Sequence, residues 1–362
     1  MRIVAHNGAR ILGGAERATT LLMSGLQARG HEVLMLCNDR HVSDYAESSG
    51  VPSRLSVIGG DASFLSARRF GTDLREFNPD ALIVGTWKKL FMASLAAKQN
   101  GVGTVIARVG LETDTPRNAK YRVALRRWTD CVVVNSERMV DSFASLRGFG
   151  ANKVRVIHNG VVAPRRVGTP GSMRNSLGIH ESARVIGTVA RLATQKRIDR
   201  MLRVVAKLPA DVHCVIAGDG RERQGLATLA ASLGIAPRVH FIGHREDKDE
   251  ILDAIDLFVL TSDKEGLSNS MLEAMAFGLP VVSTPVSGAA EALRPDKDGT
   301  TPGIVSGFSE DELTRDIRSL LDDSRRLEES GDAARRRAES DFSMETMLDR
   351  WESALAGTPP AQ

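Results

Sequence analysis

The segment LFVLTSDKEGLSNSMLEAMAFGLPVVSTP, residues 257–285, has the pattern of strand, turn, helix and strand that indicates the fold class. LFVLTS is an apolar run of strand length, residues 263–268 form a polar turn, and residues 269–277 have the composition of a short helix. Gly278 and Pro280 are typical signals for the end of a helix, and a second apolar run, PVVSTP, follows them. The segment therefore predicts a strand, a helix and a second strand parallel to the first.

The same alternation extends through the whole chain. Further strand-like runs are RIVAHN, HEVLMLCN, ALIVGT, GTVIARVG, CVVVNS and VRVIHNG in the first half, and RVIGTVAR, HCVIAGDG, VHFIGH and GIVSG in the second. Parallel strands that helices cover on both faces are apolar throughout, so these runs predict doubly wound α/β sheets. A chain of 362 residues has the length of two domains. The glycines and prolines of NGVVAPRRVGTPGS, residues 159–172, indicate the break, so we predict domains at 1–163 and 164–342.

Composition narrows the class of protein. The three cysteines lie within apolar runs, which indicates buried, reduced thiols. The first residues already read as a strand and a glycine loop, and no apolar run reaches the length of a membrane span, so we expect a cytoplasmic protein. Aromatic residues make up only 4% of the chain and no recognition motif is present, which argues against nucleic acid as a partner.

Charge is distributed unevenly along the chain. Residues 1–160 contain 22 Lys and Arg against 14 Asp and Glu, whereas residues 161–362 contain 26 against 31. Part of the basic excess lies in RNAKYRVALRRW, residues 117–128, where apolar and basic side chains interleave. Such a stretch can contact the anionic inner face of a membrane or an anionic substrate. It is equally typical of a helix with one solvated face.

Two loops have the composition of phosphate sites. In GARILGGAERATTLL, Gly13 and Gly14 precede a helix, where backbone N–H groups and the helix dipole favour an anion, although a plain tight turn explains them equally well. In GTVARLATQKRID, Arg191 and Lys196 follow a strand and could clamp a diphosphate, or could be ordinary surface cations. Arg197 leaves the choice of lysine open.

Two glutamates in the opening segment are candidates for polar contacts. Glu265 lies in the turn just before a helix that Ser268 or Asn269 can cap. Glu273 lies within the oily stretch MLEAMAF, where a carboxylate without a polar partner would cost several kcal/mol by order of magnitude. The hydroxyls of a ribose are one suitable partner, because a carboxylate accepts two hydrogen bonds from a diol. A solvent-facing position or an internal ion pair is the alternative.

Six short motifs occur in a familiar order. GGAER, VNS, IHNGV, ARLATQK, EGLSNSMLEA and SGAAEAL together resemble the signature of the retaining GT-B glycosyltransferases of glycosyltransferase family four, over about residues 3–355. The resemblance implies two Rossmann-like domains with a deep interdomain cleft. The first would bind the acceptor and the second the nucleotide sugar, and a last helix at about 343–358 would pack back onto the first domain.

The resemblance also implies roles for individual residues. Arg191 and Lys196 would hold the diphosphate and assist its departure, and Glu265 would contact sugar hydroxyls. The remaining donor contacts would come from Gly14, Gly266, Leu267, Ser268 and Asn269, with Glu273 on the ribose. No metal or other cofactor is expected, because members of this kind need none and no Asp-x-Asp pair suited to holding a cation on a diphosphate appears in the chain. Retention would follow from attack on the face from which the phosphate leaves, without a protein nucleophile.

The chain departs from the family pattern at two places. Where many relatives have a histidine after the strand that corresponds to TVIARVG, this chain has Arg108, which either binds an acidic group or pairs with Glu112 or Asp114. Ser268, Asn269 and Ser270 stand where many relatives have glycine and apolar residues, and they either alter sugar choice or cap the helix. Asn135 and Ser136, which end a strand, are candidates for acceptor contacts or for helix capping.

The expected reaction is transfer of a sugar from a nucleotide sugar to an acceptor hydroxyl. The acceptor would be a glycan, a lipid-linked glycan or a small molecule, as in the synthesis of cell-envelope polysaccharides or glycolipids. A nucleotide-sugar epimerase of the same fold and a non-catalytic nucleotide-sugar-binding module are the alternatives. A nicotinamide oxidoreductase would require a G-x-G-x-x-G motif, which Gly13 and Gly14 do not form.

Overall fold

The computed structural model describes residues 1–59, 63–111, 118–144, 153–162, 164 and 171–357. The chain forms two compact units, of which unit 1 contains Met1–Asn159 and Met344–Gln362, and unit 2 contains Gly160–Ser343. The break therefore lies four residues before the boundary that the prolines and glycines of the linker suggested.

Unit 1 is built on a parallel sheet with the strand order β3-β2-β1-β4-β5-β6-β7. Its strands are β1 (Arg2–Asn7), β2 (Glu32–Cys37), β3 (Ser53–Leu55), β4 (Ala81–Val84), β5 (Thr104–Val109), β6 (Cys131–Val134) and β7 (Val154–Val156). Its first helices are α1 (Gly14–Ala28), α2 (Arg40–Ser48), α3 (Phe64–Phe77), α4 (Leu90–Gln99), α5 (Ala119–Arg127) and α6 (Arg138–Ala144). All four residues of β4 and of β6 are buried, which explains why these strands are continuously apolar.

The last helix of the chain, α15 (Met344–Leu355), belongs to unit 1 and packs on α1. Trp351 is 2% exposed, and a Cβ on Gly25 of α1 would lie 2.9 Å from the side chain of Leu348, so the two helices lie close together. Arg29, at the end of α1, forms ion pairs with three carboxylates of α15. Apolar burial and these ion pairs thus hold the C-terminal helix on unit 1.

Unit 2 contains a second parallel sheet, with the strand order β10-β9-β8-β11-β12-β13. Its strands are β8 (Val185–Val189), β9 (His213–Ala217), β10 (Val239–Gly243), β11 (Leu257–Leu260), β12 (Val281–Ser283) and β13 (Gly303–Val305). Its helices are α7 (Ser172–Ser176), α8 (Ile198–Lys207), α9 (Arg223–Ser232), α10 (Lys248–Asp253), α11 (Asn269–Phe277), α12 (Ala289–Ala292), α13 (Glu310–Leu321) and α14 (Ser324–Asp341).

All strands expected from apolar runs are present, and the prediction of two doubly wound parallel sheets is confirmed. Within the described residues, β3 was missed, because its residues Ser53–Leu55 are largely exposed and the segment has no apolar run. The three cysteines are free and buried, as expected, and burial raises the pKa of the Cys131 thiol to about 11.

Candidate active site

The strand order of unit 2 reverses between β8 and β11, which lie side by side although they are far apart in the chain. Loops that leave the carboxyl ends of two such strands run in opposite directions and leave a crevice between them, which is the usual ligand site of an open α/β sheet. The loop after β8 contains Arg191 and Lys196, and the loop after β11 contains Glu265. The fold thus brings the loops of these three predicted site residues to the crevice at which the strand order reverses, which we call the switch point.

The cations of the loop after β8 differ in their partners. Lys196 forms an ion pair with Glu265, and its side chain is only 20% exposed. Arg197 instead pairs with Asp199 at 2.9 Å and Asp263 at 3.2 Å, and the hydrogen bonds that it donates to the Asp199 carboxylate raise the pKa of its guanidinium. It is therefore Lys196, and not Arg197, that pairs with Glu265. Arg191 is exposed, and its side chain makes no hydrogen bond or ion pair with the described part of the chain.

The loop after β11 holds Glu265 in a defined position. Its side chain is 11% exposed, and Oε1 accepts a hydrogen bond from Ser262 Oγ at 2.7 Å in addition to the ion pair with Lys196. Ser268 is the N-cap of α11, with its Oγ accepting from Met271 N at 3.5 Å, so the capping interpretation of this serine is confirmed. Backbone N–H groups of residues 266–269 accordingly lie at the positive end of the α11 dipole.

Residues that sequence reasoning missed join the two loops. Asp263 N donates to Gln195 O at 3.0 Å, and Gln195 Nε2 donates to Lys264 O at 2.6 Å. Arg200 is buried and donates to Thr261 O at 2.7 Å and to Asp263 at 2.8 Å. These contacts fix the two loops against each other. The sequence indicates such loop contacts only in that polar side chains occur soon after the ends of both strands.

Glu273 has a partner that the sequence did not reveal. It lies on α11 among buried neighbours, but its own side chain is 27% exposed and forms an ion pair with Lys248 of α10. Lys248 contacts Oε1, and within the described residues Oε2 accepts no hydrogen bond. The ion-pair interpretation is therefore confirmed, while one carboxylate oxygen still has the capacity to accept from a hydroxyl.

In unit 1, Gly14 is the first residue of α1, and Gly13 N donates to Glu16 Oε2 at 2.9 Å. Arg108, at the end of β5, donates to Thr19 Oγ1 of α1 at 2.7 Å and to Asn159 Oδ1 at 3.0 Å. Burial lowers the pKa of its guanidinium to about 10, so it remains charged at neutral pH.

The proposed partners of Arg108, Glu112 and Asp114, lie outside the described residues. Asn135 and Ser136 are buried where β6 ends. Asn135 Oδ1 and Ser136 Oγ have no hydrogen-bond partner within the described residues, so neither side-chain oxygen caps a helix there.

Two further features bear on cofactors and location. Among the described residues, no three His, Cys, Asp or Glu side chains form a group that could hold a metal ion. No helix in the described part of the chain combines the length and apolar composition that crossing a bilayer requires.

Family models match most of the chain. Residues 12–164 match the model described as Glycosyltransferase Family 4, and residues 171–337 match the model described as Glycosyl transferases group 1.

Two relatives match at 30% identity or more over at least two thirds of their length. The lipopolysaccharide core biosynthesis glycosyltransferase LpsE of Rhizobium meliloti is 31% identical over 66% of this chain and 67% of its own. A GDP-mannose-dependent monoacylated alpha-(1-6)-phosphatidylinositol monomannoside mannosyltransferase of Corynebacterium glutamicum is 30% identical over 79% and 78%. The match to the D-inositol 3-phosphate glycosyltransferase of Mycobacterium marinum, 34% identical over 53% of this chain, spans only 42% of that relative.

Solved structures share the architecture. HepE of Anabaena in complex with UDP has a TM-score of 0.85 at 21% identity and covers 98% of this chain and 100% of its own. WaaG, a glycosyltransferase involved in lipopolysaccharide biosynthesis, has a TM-score of 0.72 at 18% identity, with coverage of 99% and 100%. At these identities the likeness establishes the fold.

Proposed function

From the premise that this chain belongs to the glycosyltransferases of group 1 and family 4 and has the GT-B fold, we propose that it transfers a hexose from a nucleotide-diphosphate sugar to an acceptor hydroxyl with retention of anomeric configuration. The supporting observation is the ion pair of Lys196 with Glu265 at the switch point of unit 2, with Arg191 exposed on the loop that also contains Lys196. A cation there suits the diphosphate of the donor, and a carboxylate suits the hydroxyls of its sugar.

The diphosphate end of the donor binds the cations of the site. Arg191 and Lys196 hold the phosphate oxygens, and the backbone N–H groups of residues 266–269 add the positive end of α11. When the bond from the anomeric carbon to the phosphate oxygen breaks, the diphosphate gains a full negative charge. The two cations and the helix terminus stabilise that charge where it develops, and no metal ion is required.

The sugar end of the donor binds Glu265. Its carboxylate accepts hydrogen bonds from sugar hydroxyls while Ser262 Oγ keeps it oriented. The acceptor oxygen forms its bond to the anomeric carbon on the face from which the phosphate departs, which retains the configuration. The acceptor proton passes to the departing phosphate oxygen, so the reaction balances without a protein nucleophile or base.

The nucleoside end of the donor binds Glu273. Because Lys248 contacts Oε1, the second carboxylate oxygen can accept from a ribose hydroxyl while the ion pair persists. The ion pair also keeps the carboxylate oriented before the donor arrives. In unit 1, Gly14 offers its backbone to the donor, and Arg108, Asn135 and Ser136 are the candidates for acceptor contacts.

Thermal unfolding in the presence of nucleotides and nucleotide sugars tests this proposal. We expect one base family to raise the melting temperature by several degrees, since a ligand at about 100 times its Kd adds roughly 2.7 kcal/mol to the free energy of unfolding. Glu273→Ala should remove the shift, whereas Glu339→Ala, at an exposed position of α14, should retain it. If no uridine, guanosine, adenosine or thymidine diphosphate or conjugate moves the melting temperature, the donor assignment is wrong.

We further propose that the acceptor is a glycan or lipid-linked glycan at an anionic membrane surface. On α5, Arg122, Arg126 and Arg127 are exposed together with Val123, whereas the opposite face of the helix is buried against unit 1. The apolar face of α5 thus packs in the core. The exposed face, which could contact a membrane, is mainly positively charged.

Vesicle sedimentation checks the membrane proposal. We expect binding to vesicles that contain anionic phospholipid, loss of binding as salt is raised, and loss in the double variant Arg126→Glu and Arg127→Glu. Neutral vesicles are the control. Equal sedimentation with neutral and anionic vesicles would eliminate this surface as a membrane contact.

A further inference from the structure

The loop that positions Glu265 is supported by the segment that follows β12. Thr284 Oγ1 donates to Ser262 O at 2.6 Å, and Gly288 N donates to Gly266 O at 2.9 Å. One contact falls before Glu265 in the chain and the other directly after it. The segment 284–288 therefore holds both sides of the residue that, in the proposed function, binds the sugar.

Gly288 is not required for its backbone conformation. Its φ of −86° and ψ of −4° are accessible to any L-residue, so an alanine could adopt them without strain. What excludes a side chain is the Glu265 loop itself. A Cβ at this position would lie 2.8 Å from Leu267 Cα and 2.9 Å from Gly266 O.

Two of the three obstructing atoms belong to the backbone, which makes them costly to move, and the third is Leu267 Cδ1. A flexible side chain can rotate away from a new methyl group, but Leu267 Cα and Gly266 O move only if the loop moves. The loop is also tied to the rest of unit 2, because Leu267 is 4% exposed within the core and Ser268 caps α11. A methyl group at residue 288 would thus displace the turn between Glu265 and α11.

We propose that Gly288 is a positioning residue for sugar transfer, because the absence of its side chain sets the place of Gly266, Leu267 and the adjacent Glu265 carboxylate. It acts through the loop and has no contact with the donor. This inference rests on the proposed function of Glu265. It goes beyond that function because it assigns a kinetic effect to a residue that does not contact the donor.

The decisive comparison is Gly288→Ala against Gly225→Ala. A Cβ at Gly225, on α9, meets nothing within 4 Å, so this variant introduces the same methyl group without a clash. We expect Gly288→Ala to lower kcat by at least about tenfold, because small displacements of groups that orient a substrate cost large factors in rate. The Kd for the free nucleoside diphosphate should change by a smaller factor than kcat, since Arg191 and Glu273 lie outside the displaced turn. Gly225→Ala should leave both values unchanged.

A second variant tests which atoms cause the effect. Leu267→Ala in combination with Gly288→Ala removes the Leu267 side chain, whose Cδ1 would also lie 2.8 Å from the new Cβ, but leaves the backbone obstruction. We expect no recovery of kcat in the double variant. Recovery to the rate of Leu267→Ala alone would overturn the backbone argument, and so would a Gly288→Ala enzyme with normal kcat and only a lowered melting temperature.

Two further measurements keep the proposal testable if Gly288→Ala fails to fold or if the proposed function is wrong. Thr284→Val removes the hydrogen bond to Ser262 O while keeping the shape of the side chain, and it should also lower kcat more than it changes the Kd of the nucleoside diphosphate. In the ligand-free protein, the amide NMR resonances of Gly266 and Leu267 should shift in Gly288→Ala and not in Gly225→Ala. Unshifted amides would refute the positioning role even if no nucleotide binds, whereas shifted amides in a protein that binds none would refute only the donor assignment.

Discussion

Glu265→Ala is expected to lower kcat for sugar transfer by at least about 100-fold, the largest effect of any single substitution that we predict. The substitution removes the carboxylate that accepts from Ser262 and pairs with Lys196, and with it the proposed contact to the sugar hydroxyls. Lys196 then loses the ion pair that orients it toward the diphosphate. Steady-state transfer from the nucleotide sugar identified by thermal unfolding measures the effect.

Glu265→Gln separates charge from shape. Glutamine can still accept from Ser262 Oγ and from a sugar hydroxyl, but it has no negative charge for Lys196, so we expect a smaller loss than with alanine. Glu339→Ala, at an exposed position of α14, is the matched control and should turn over normally. A Glu265→Ala enzyme with a near-normal rate and an unchanged fold would remove Glu265 from the site.

Arg191→Ala is expected to lower kcat by about 100-fold without a change in stability beyond about 0.5 kcal/mol. Its side chain is exposed and makes no hydrogen bond or ion pair with the described residues that the substitution could break, so the loss should appear only in the reaction. Because the charge on the diphosphate grows as the sugar leaves, a cation placed there acts mainly on the transition state.

The kinetic pattern of Arg191→Ala decides between two roles. A fall in kcat together with kcat/KM supports stabilisation of the leaving group, whereas a higher KM with unchanged kcat would mean that Arg191 only binds the donor. Arg191→Lys should recover part of the rate, since a lysine supplies the charge but not the bidentate geometry. Arg325→Ala on α14, which removes an exposed arginine far along the chain, should have no effect.

The fold could be predicted from the sequence because its strands are buried on both faces. Each such strand requires a continuous apolar run, and the runs of β4, β6 and β11 have no other explanation in a chain of alternating strands and helices. The exposed strand β3 has no such requirement, and its residues Ser53–Leu55 leave no pattern. Ser268 as the cap of α11 could also be predicted, because capping depends on neighbours in the chain.

The partners of the site residues could not be predicted in the same way. Lys196 and Glu265 are separated by 69 positions, and Lys248 and Glu273 by 25, so each ion pair depends on how strands and helices are ordered in space. The local composition does not distinguish Lys196 from Arg197 as the partner of Glu265. Only the structure shows that Arg197 pairs with two other carboxylates. The support of the Glu265 loop by Gly288 likewise depends on loops from different strands.

Local patterns in the sequence are sufficient to predict which buried segments form strands, that two doubly wound domains follow, and which residue types stand at the strand ends. Those properties arise from burial and from near-neighbour capping, which a linear pattern records directly. Only the tertiary structure decided which strand ends meet. Pairing β8 with β11 places the loop of Arg191 and Lys196 next to the loop of Glu265, because sheet order is set by contacts between segments that are distant in the chain.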